Sequence, residues 1–454
     1  MTGAAWLLSL SLAAVCGWPL LSHRSLRGLP LSSRLVLSGA AGAVLLSAAM
    51  TCAVVLGLRW SIAVLVPVAA AMAAALRPFA RGEAPSPPPG RDAFGGGTWT
   101  AAAHALAALA VAVAFLATWS GAATSPDLIF FWGAKAQQFA AARTIDVPFL
   151  QNVFHRYMHL YYPPFVTNVY AFATMAAGRF PWTAATLTFP LLLGALAVGL
   201  PGILRTRVER RAAAALSALA IAAIACAGID ADVAGNAEMP LLLLEAMAVA
   251  LLVSPHARQP STQLVAGILL AGVITAKVEG LPFALATAAL FLLLRADARP
   301  IGAASARLLL PAVACLGTWF LFGATRHLFT GYAGEGKFLD LYPGRLAAVV
   351  RSIGTALAAT GYGLPWLVPL AVVLASGRPR RVSLIPLGTA AALTAFFLFT
   401  YLHRAENPAL WISWSAARIF MPVAILLVVA TACGAPPSPS PETTVPTQEA
   451  PSQR

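Results

Sequence analysis

The chain alternates between long apolar runs and short polar loops, and the runs are rich in Ala, Leu and Val. Strands of a membrane barrel would alternate apolar and polar residues over about ten positions, whereas a membrane-spanning helix needs about 20 mostly apolar residues. The pattern therefore predicts an all-α polytopic membrane protein with about 13 transmembrane helices. The run over residues 263–294 is interrupted in its middle and predicts a broken helical hairpin.

Composition supports the same class of protein. Hydrophobic residues make up 59% of the chain and charged residues 10%, with a mean hydropathy of +0.79, whereas soluble proteins have about 25% charged residues. The net charge of +14 is explained by Arg residues in loops that stay in the cytoplasm. Membrane lipids are therefore predicted as partners, and nucleic acid is not.

The cysteines and histidines do not predict a metal site. All five cysteines lie in apolar runs without metal-ligand spacing, and they are interpreted as small buried hydrophobic residues without disulfides. His155 and His159 are four residues apart and could share a helix face, but no metal-binding motif accompanies them.

Arg residues set the predicted orientation. Loops near residues 24, 91, 208 and 380 carry most of the Arg clusters and are predicted to be cytoplasmic, with the N-terminus outside and the C-terminus inside. Loops near residues 140, 234, 335 and 406 then lie outside. Nine of the 16 acidic residues fall on that outer face, as a functional site there would need; the alternative is that acids are only tolerated there. These nine are Asp127, Asp146, Asp230, Asp232, Glu238, Glu279, Glu335, Asp340 and Glu406.

Three regions follow from this map. Residues 1–99 hold three added N-terminal spans and a Pro/Gly-rich cytoplasmic loop, and residues 100–433 form the main transmembrane domain with an outer loop at 121–182. Residues 163–178 and a stretch before residue 360 predict juxtamembrane helices that lie at the outer interface. Residues 434–454 are rich in Pro, Ser and Thr and predict a disordered tail.

One stretch, residues 121–170, continues for about fifty residues without a full membrane span. A membrane protein that keeps many polar and aromatic groups in one loop is expected to use them, so a functional site is predicted here. The alternative is an ordinary solvated loop. The polar and aromatic residues of the stretch include Asp127, Trp132, Lys135, Arg143, Asp146, His155, Arg156, Tyr157, His159, Tyr161 and Tyr162.

Five segments carry a family resemblance: SPDLIFFWGAKAQ, YYPPFVTNVYAF, GNAEMPLLLLEAM, ITAKVEGLPFAL and LWISWSAARIFMPVAILL. In their order and their placement on one face they resemble the GT-C superfamily of integral membrane glycosyltransferases, including the bacterial relatives of protein O-mannosyltransferase and aminoarabinose transferase. The resemblance covers roughly residues 100–433 and leaves out residues 1–99. Glu238 departs from the pattern, because the family usually has Asp at that position.

The resemblance implies that a sugar is transferred from a polyprenyl-phosphate donor to a lipid, glycan or protein acceptor, at the outer face of a bacterial inner (plasma) membrane. Asp127 would be the general base that removes the acceptor proton in an inverting displacement. Glu238 would be a second acid that orients the acceptor or a divalent cation, although no dedicated metal site is evident. Asp230 and Asp232 are rivals for that role, and a solvated loop acid is the alternative interpretation of Glu238.

The remaining candidates would bind the donor or the acceptor. Cations at the interface can bind a lipid phosphate, since Arg donates two parallel hydrogen bonds to a phosphate and Lys acts as a point charge. The alternatives are a Lys277–Glu279 ion pair and, for Arg418, an anchor at the end of a span. The phosphate candidates are Lys277, Arg418, Lys135 and Arg326. The sugar or acceptor candidates are Trp132, His159, Tyr161, Tyr162, Glu279 and Trp411, with plain interfacial aromatic residues as the alternative.

Two other functions compete with the glycosyltransferase. A transporter or flippase of lipid-linked sugars would use the same acids and cations along a path through the membrane, and a non-catalytic membrane scaffold would not use them. Transport predicts charges distributed at mid-membrane depth, whereas the charges of this chain collect at one face, which favours the enzyme. Glu245 is an exception, because it is predicted to lie inside a span.

Overall fold

A computed structural model describes residues 2–23, 26–80, 97–121, 125–158, 162–294, 301–328, 341–377, 380–403 and 407–434, apart from the side chains of residues 156 and 157. The predicted Pro/Gly-rich loop after residue 80 and the predicted tail after residue 434 lie outside these residues. So do two sugar-binding candidates, His159 and Tyr161, and three of the acidic residues assigned to the outer face, Glu335, Asp340 and Glu406.

The described residues form helices and turns without a β-strand, which confirms the predicted all-α class. We number the α-helices in chain order. They are α1 (Thr2–Leu21), α2 (Leu31–Val55), α3 (Ile62–Ala75), α4 (Thr98–Trp119), α5 (Gly133–Ala142), α6 (Val147–Gln151), α7 (Phe165–Ala177), α8 (Trp182–Thr186), α9 (Thr188–Leu204), α10 (Arg210–Asp230), α11 (Glu238–Val253), α12 (Pro260–Ala276), α13 (Gly280–Leu294), α14 (Ile301–Thr325), α15 (Leu346–Ala359), α16 (Leu364–Ala375), α17 (Leu384–His403), α18 (Pro408–Ile419) and α19 (Met421–Gly434).

Ten helical segments of the described residues are long and apolar enough to cross a membrane, as expected of an integral membrane protein. The expected number was about 13, and the difference lies in α11, α12 and α13, which have 16, 17 and 15 residues. Nearly every residue of α11 and α12 is buried against other helices. A helix surrounded by protein does not face lipid, so its length need not match the bilayer.

The first three helices pack directly into the rest of the bundle. Gly17 of α1 and Gly42 of α2 let the two backbones touch, because a Cβ on either residue would collide with the backbone of the facing helix. Trp6 donates a hydrogen bond to Thr174 of α7 at 3.2 Å, and Ser33 donates one to the carbonyl of Gly199 in α9 at 2.8 Å. The N-terminal helices therefore share one core with the later helices.

The helix predicted at residues 163–178 forms as α7, Phe165–Ala177, and ends at Gly178, whose φ is +80°. It does not lie on an exposed surface, because nine of its 13 residues are buried. Asn168 donates hydrogen bonds to Ser47 and Thr51 of α2 at 3.2 and 3.1 Å. The polar groups of this short segment therefore bond within the protein.

The second predicted juxtamembrane helix forms as α15. A 33-residue apolar segment, Pro343–Ala375, counts as one of the ten candidate spans. Gly361 and Tyr362 interrupt it, since their φ values of +55° and +54° are incompatible with a right-handed helix. α15 and α16 are therefore separate helices, as the sequence predicted.

Hydrogen bonds between loops define two ends of the bundle. One end, the acidic end, comprises residues 125–158, 162–187, 230–237, 277–279, 360–363 and 407–420; the other, the arginine-rich end, comprises residues 76–80, 205–210, 253–263, 301–307 and 380–383. Within the acidic end, Gly361 N–H donates to Asp230 Oδ2 at 2.7 Å. Within the arginine-rich end, Arg207 Nε donates to the carbonyl of Val253 at 2.5 Å. Each bond joins segments that the Arg distribution assigned to the same face.

Candidate functional site

Asp127 lies at the start of a helical turn after α4. Ser125 Oγ accepts a hydrogen bond from the Asp127 backbone N–H at 3.2 Å, and Pro126 suits a first helical position because it has no N–H to satisfy. A π-helical turn, Leu128–Trp132, follows and leads into α5. Such turns are rare and occur often at functional sites. The Asp127 backbone is thus fixed at a helix start, and its side chain remains 23% exposed.

Glu238 is the first residue of α11. Gly235 precedes it with a φ of +84°, and a Cβ at that position would press into the side chain of Leu128. Asn236 Oδ1 accepts a hydrogen bond from the Glu238 N–H at 3.0 Å and fixes the helix start. The positive end of the helix dipole stabilises a carboxylate there, although the Glu238 side chain is only 4% exposed.

Lys277 follows α12 directly, in an extended conformation. The negative end of that helix dipole stabilises its cation. Gly280 begins α13, and a Cβ there would collide with the carbonyl of Val273. The break predicted in the hairpin is therefore confirmed, and it places Lys277 and Glu279 between two helix ends.

Four separate segments of the chain bring their charges together in what we call the charged cluster, formed by Asp127, Glu238, Lys277, Glu279 and Arg418. Arg418 lies in the last turn of α18, and its Nη1 donates to Asp127 Oδ2 at 2.6 Å. Its Nε is 3.6 Å from Glu238 Oε1. Lys277 Nζ donates to the same Glu238 oxygen at 3.0 Å and lies 3.5 Å from Glu279 Oε1. Glu238 therefore bridges the two cations.

The charged cluster retains unused hydrogen-bonding capacity. Oε2 of Glu238, Oε2 of Glu279 and Nε of Arg418 are buried without a hydrogen-bond partner among the described residues. Buried polar atoms of this kind are rare, and each calls for an explanation such as a ligand or an ordered water. The cluster is therefore more than a closed set of ion pairs, and a polar ligand could use these atoms.

The electrostatic balance of the charged cluster is negative. Its three carboxylates and two cations sum to a formal charge of −1. Burial disfavours the charged form of Lys277, but the carboxylates of Glu238 and Glu279 outweigh it and raise the pKa of Lys277 above its usual value. Lys277 therefore remains a cation at the acidic end.

A small cavity borders the charged cluster. Glu238, Lys277, Glu279 and Arg418 line it together with Glu245. Its other walls are apolar and come from Leu241, Leu393, Phe397, Ile419, Met421 and Pro422. Sequence reasoning marked Glu245 as an intramembrane acid but did not connect it with the other charges. The signal was available, because Glu245 follows Glu238 by seven residues, or two helical turns, and so lies on the same helix face.

Lys135, in α5, occupies a different environment. Its Nζ donates a hydrogen bond to the Met158 carbonyl at 2.9 Å and lies 4.9 Å from the Trp132 ring. Burial lowers the pKa of Lys135 to about 7, because no carboxylate among the described residues compensates the lost solvation. Trp132 stacks on Tyr162 at 6.0 Å between ring centroids. Lys135, Trp132 and Tyr162 therefore pack against one another.

The other candidates lie apart from the charged cluster or have structural contacts. Arg326 is exposed, and its carbonyl accepts a hydrogen bond from Gln151 at 2.7 Å. Trp411 packs edge-on against Trp414 at 5.9 Å. Asp230 accepts a backbone hydrogen bond at the turn between α15 and α16. Burial raises the pKa of Asp232, although the nearby Arg418 guanidinium opposes the shift.

No group of three or more His, Cys, Asp or Glu side chains in the described part of the chain is arranged to hold a metal ion. Glu238 Oε1 is shared by Lys277 and Arg418. What the arrangement offers is two cations that can face an anion and a partly open carboxylate that can accept a proton.

Comparison of the chain with protein-family models, with curated proteins and with solved structures gave no match. The functional argument therefore depends on the geometry of the charged cluster and the residues around it.

Proposed function

We propose that the protein is a membrane glycosyltransferase of the GT-C type, which moves a sugar from a polyprenyl-phosphate donor to a hydroxyl of a lipid, glycan or protein acceptor. One observation carries the proposal: a partly exposed acid, Asp127, and two cations from distant segments meet at the acidic end of the bundle. A transfer reaction from a lipid phosphate needs this combination of base and phosphate-binding cations. The resemblance of five sequence segments to this superfamily supports it.

Lys277 and Arg418 are the proposed ligands of the donor phosphate. Both are paired with carboxylates before the donor arrives, so the phosphate has to compete for them. A phosphate carries more charge and more acceptor oxygens than a carboxylate, and Arg binds it with a planar pair of donors. Donor binding would therefore draw the Arg418 guanidinium away from Asp127.

Asp127 is the proposed base. The Arg418 hydrogen bond occupies Oδ2 of Asp127, and its transfer to the phosphate leaves that oxygen ready to take a proton. The acceptor O–H bond then breaks towards Asp127 while the acceptor oxygen bonds to the anomeric carbon. The bond between that carbon and the phosphate oxygen breaks, its electron pair stays on the leaving phosphate, and the configuration inverts. Asp127 would thus become available only after the donor has bound.

The test uses the purified full-length protein in lipid nanodiscs with polyprenyl-phosphate sugars and a panel of lipid, glycan and peptide acceptors. Asp127→Asn keeps the shape of the side chain but cannot take a proton, so turnover should fall by about 10²–10⁴. Asp146→Asn is the matched control. Asp146 belongs to the same outer loop, but its carboxylate caps α6 through the Phe149 N–H at 3.0 Å and accepts from Gln138 at 2.7 Å.

Asp146→Asn should lower the melting temperature and keep the wild-type turnover. Asp127→Asn should keep the melting temperature and lower the turnover. If Asp127→Asn turns over at the wild-type rate, Asp127 is not the base and Glu238 or Asp232 must be tested in its place. If the wild-type protein transfers no sugar from any donor of this class, the glycosyltransferase proposal itself fails.

Glu245 is the observation that favours a second function, the translocation of a lipid-linked sugar across the membrane. It is an acid buried within the helical part of α11, and acids at such positions often belong to ion or proton pathways. Reconstitution into liposomes separates the two functions. A translocase would move the intact donor between leaflets, whereas a transferase would break the sugar–phosphate bond and release the polyprenyl phosphate.

A further inference from the structure

Glu245 is the most deeply buried acid described in the chain that lacks an ion-pair partner. Its side chain is 1% exposed, and its Oε2 has no hydrogen-bond partner among the described residues. It lines the same cavity as four members of the charged cluster. The cavity measures about 20 Å³, which is room for about one water molecule.

The cations at the cavity are already engaged by other acids. Lys277 contacts Glu238 at 3.0 Å and Glu279 at 3.5 Å. Arg418 contacts Asp127 at 2.6 Å and lies 3.6 Å from Glu238. In the described residues no cation is left within ion-pair distance of Glu245. An ionised carboxylate without a partner costs several kcal/mol in the interior of a protein, so a buried acid in this situation takes up a proton instead.

The helices around α11 do not supply another charge at the cavity. α11 packs against α2, α9, α12, α13, α17 and α19, and against the short turn that follows its own C-terminus. None of the titratable side chains on these elements lines the cavity. Those side chains are Arg34, Cys52, His256, Arg258, Tyr401, His403 and Cys433.

We propose that Glu245 is a proton-binding site, which carries a proton at neutral pH and faces the charged cluster as a neutral hydrogen-bond donor. The unpartnered Oε2 atoms of Glu238 and Glu279 at the same cavity are the acceptors available to it, directly or through one water. The proton keeps the charge of the cavity region at −1 rather than −2, counting Glu245 with the five charges of the cluster. Lys277 and Arg418 therefore stay paired with the three carboxylates of the charged cluster. The inference does not depend on the function that those two cations serve.

The proposal fixes the sign of a pH effect. An exposed Glu in the unfolded chain loses its proton near pH 4.3, as model peptides do, while folded Glu245 retains it. Above that pH the folded protein holds one proton more than the unfolded chain, so this residue makes the free energy of unfolding decrease as the pH rises. Glu245→Gln removes the effect, because Gln is a neutral donor of nearly the same shape.

The experiment is infrared spectroscopy of the purified full-length protein in nanodiscs, combined with melting temperatures across pH. We expect a C=O stretching band of a protonated carboxylic acid at neutral pH in the wild type, its loss in Glu245→Gln and its persistence in Glu209→Gln. Glu209 is the matched control because it is exposed at the arginine-rich end. The melting temperature of Glu245→Gln should equal or exceed that of the wild type, and the difference should grow with pH.

Two results would overturn the proposal: a wild-type spectrum without such a band at neutral pH, or a band that Glu245→Gln leaves unchanged. Should Glu245→Gln fail to fold, Glu245→Asp decides the matter, because it retains the acid and must shift the band. A wild type without the band whose stability rises with Na⁺ but not with K⁺ would show that a metal cation occupies the site, and would also reject the proton.

Discussion

Arginine has different partners at the two ends of this bundle. At the arginine-rich end, Arg207 donates to the carbonyl of Val253 at 2.5 Å, and Arg307 donates to the carbonyl of Phe79 at 3.2 Å and to Gln263 Oε1 at 3.3 Å. These acceptors are a helix C-terminus, a turn and an amide. At the acidic end, Arg418 contacts the carboxylates of Asp127 and Glu238. The same side chain completes helix ends in one place and neutralises buried acids in the other.

The difference separates charges that orient a membrane protein from charges that equip a site. Arg residues in cytoplasmic loops set the orientation of the membrane spans. They also donate hydrogen bonds to the last carbonyls of helices, which lack partners within the helix. Buried carboxylates paired with cations contribute little net stability, because the cost of removing both ions from water offsets their attraction. A contribution to stability therefore does not account for the charged cluster, and a role in binding or chemistry explains it better.

Among the variants that test this difference between the two ends, Glu238→Ala is expected to lower the free energy of unfolding most. It leaves Lys277 and Arg418 without the carboxylate that they share, and removal of one partner from a buried pair typically costs about 3–5 kcal/mol. Arg307→Ala at the other end should cost less, because this half-buried residue donates only to neutral acceptors and its removal leaves no charge unpaired. Thermal and denaturant unfolding in detergent would measure both.

A double variant serves as the control for that prediction. Glu238→Gln combined with Lys277→Met removes both ions of one contact, so its loss of stability should differ from the sum of the losses in the two single variants, and the difference measures the coupling of the pair. Equal losses for Glu238→Ala and Arg307→Ala would contradict the distinction between the two ends.

The sequence predicted the membership of the charged cluster better than its internal contacts. Four separate motifs marked Asp127, Glu238, Lys277, Glu279 and Arg418 and assigned them to one face, and the structure brings them together. Apolar run lengths and Arg-rich loops are enough for such a placement, since they fix which loops share a face. They say nothing about which acid meets which cation, so the sharing of Glu238 between two cations could not be predicted.

Other features escaped the sequence for identifiable reasons. Lys135 and Arg326 share the sequence properties of Lys277 and Arg418, but their surroundings differ: one is buried against Trp132 and the other is exposed. The burial of α7 depends on Asn168 finding partners on α2, a long-range contact that no local pattern encodes. The short central helices α11, α12 and α13 were counted among the predicted spans because they are as apolar as the longer helices, although α12 and α13 were predicted as the two halves of a broken hairpin.

A smaller effect, on donor binding, is expected from Lys277→Ala and Arg418→Ala. Each removes a charged hydrogen bond to the proposed donor phosphate, worth about 1.5–3 kcal/mol, so the apparent donor affinity should fall roughly 10- to 100-fold. Donor titration in nanodiscs provides the measurement, with melting temperatures recorded alongside. Arg326→Ala is the matched control, because Arg326 is a cation on the same predicted face that lies exposed, outside the cluster.

The donor affinities of these three variants test whether the cations of the charged cluster differ from an exposed one. Arg326→Ala should keep wild-type donor affinity. If Lys277→Ala and Arg418→Ala also keep it, neither cation binds the phosphate. The charged cluster would then have to be explained by its contacts within the protein alone.

The substitutions with the smallest expected effect on the protein are single cysteines that report which end is outside. Val153 is 57% exposed at the acidic end and Glu209 is exposed at the arginine-rich end, and exposed substitutions usually change stability by less than about 0.5 kcal/mol. In a background without the five native cysteines, an impermeant thiol reagent should label Val153→Cys in intact cells. It should label Glu209→Cys only after the membrane is permeabilised, because Arg-rich loops stay in the cytoplasm. The opposite labelling would place the charged cluster on the cytoplasmic side, and a donor carried by an outer-face lipid could then not reach it.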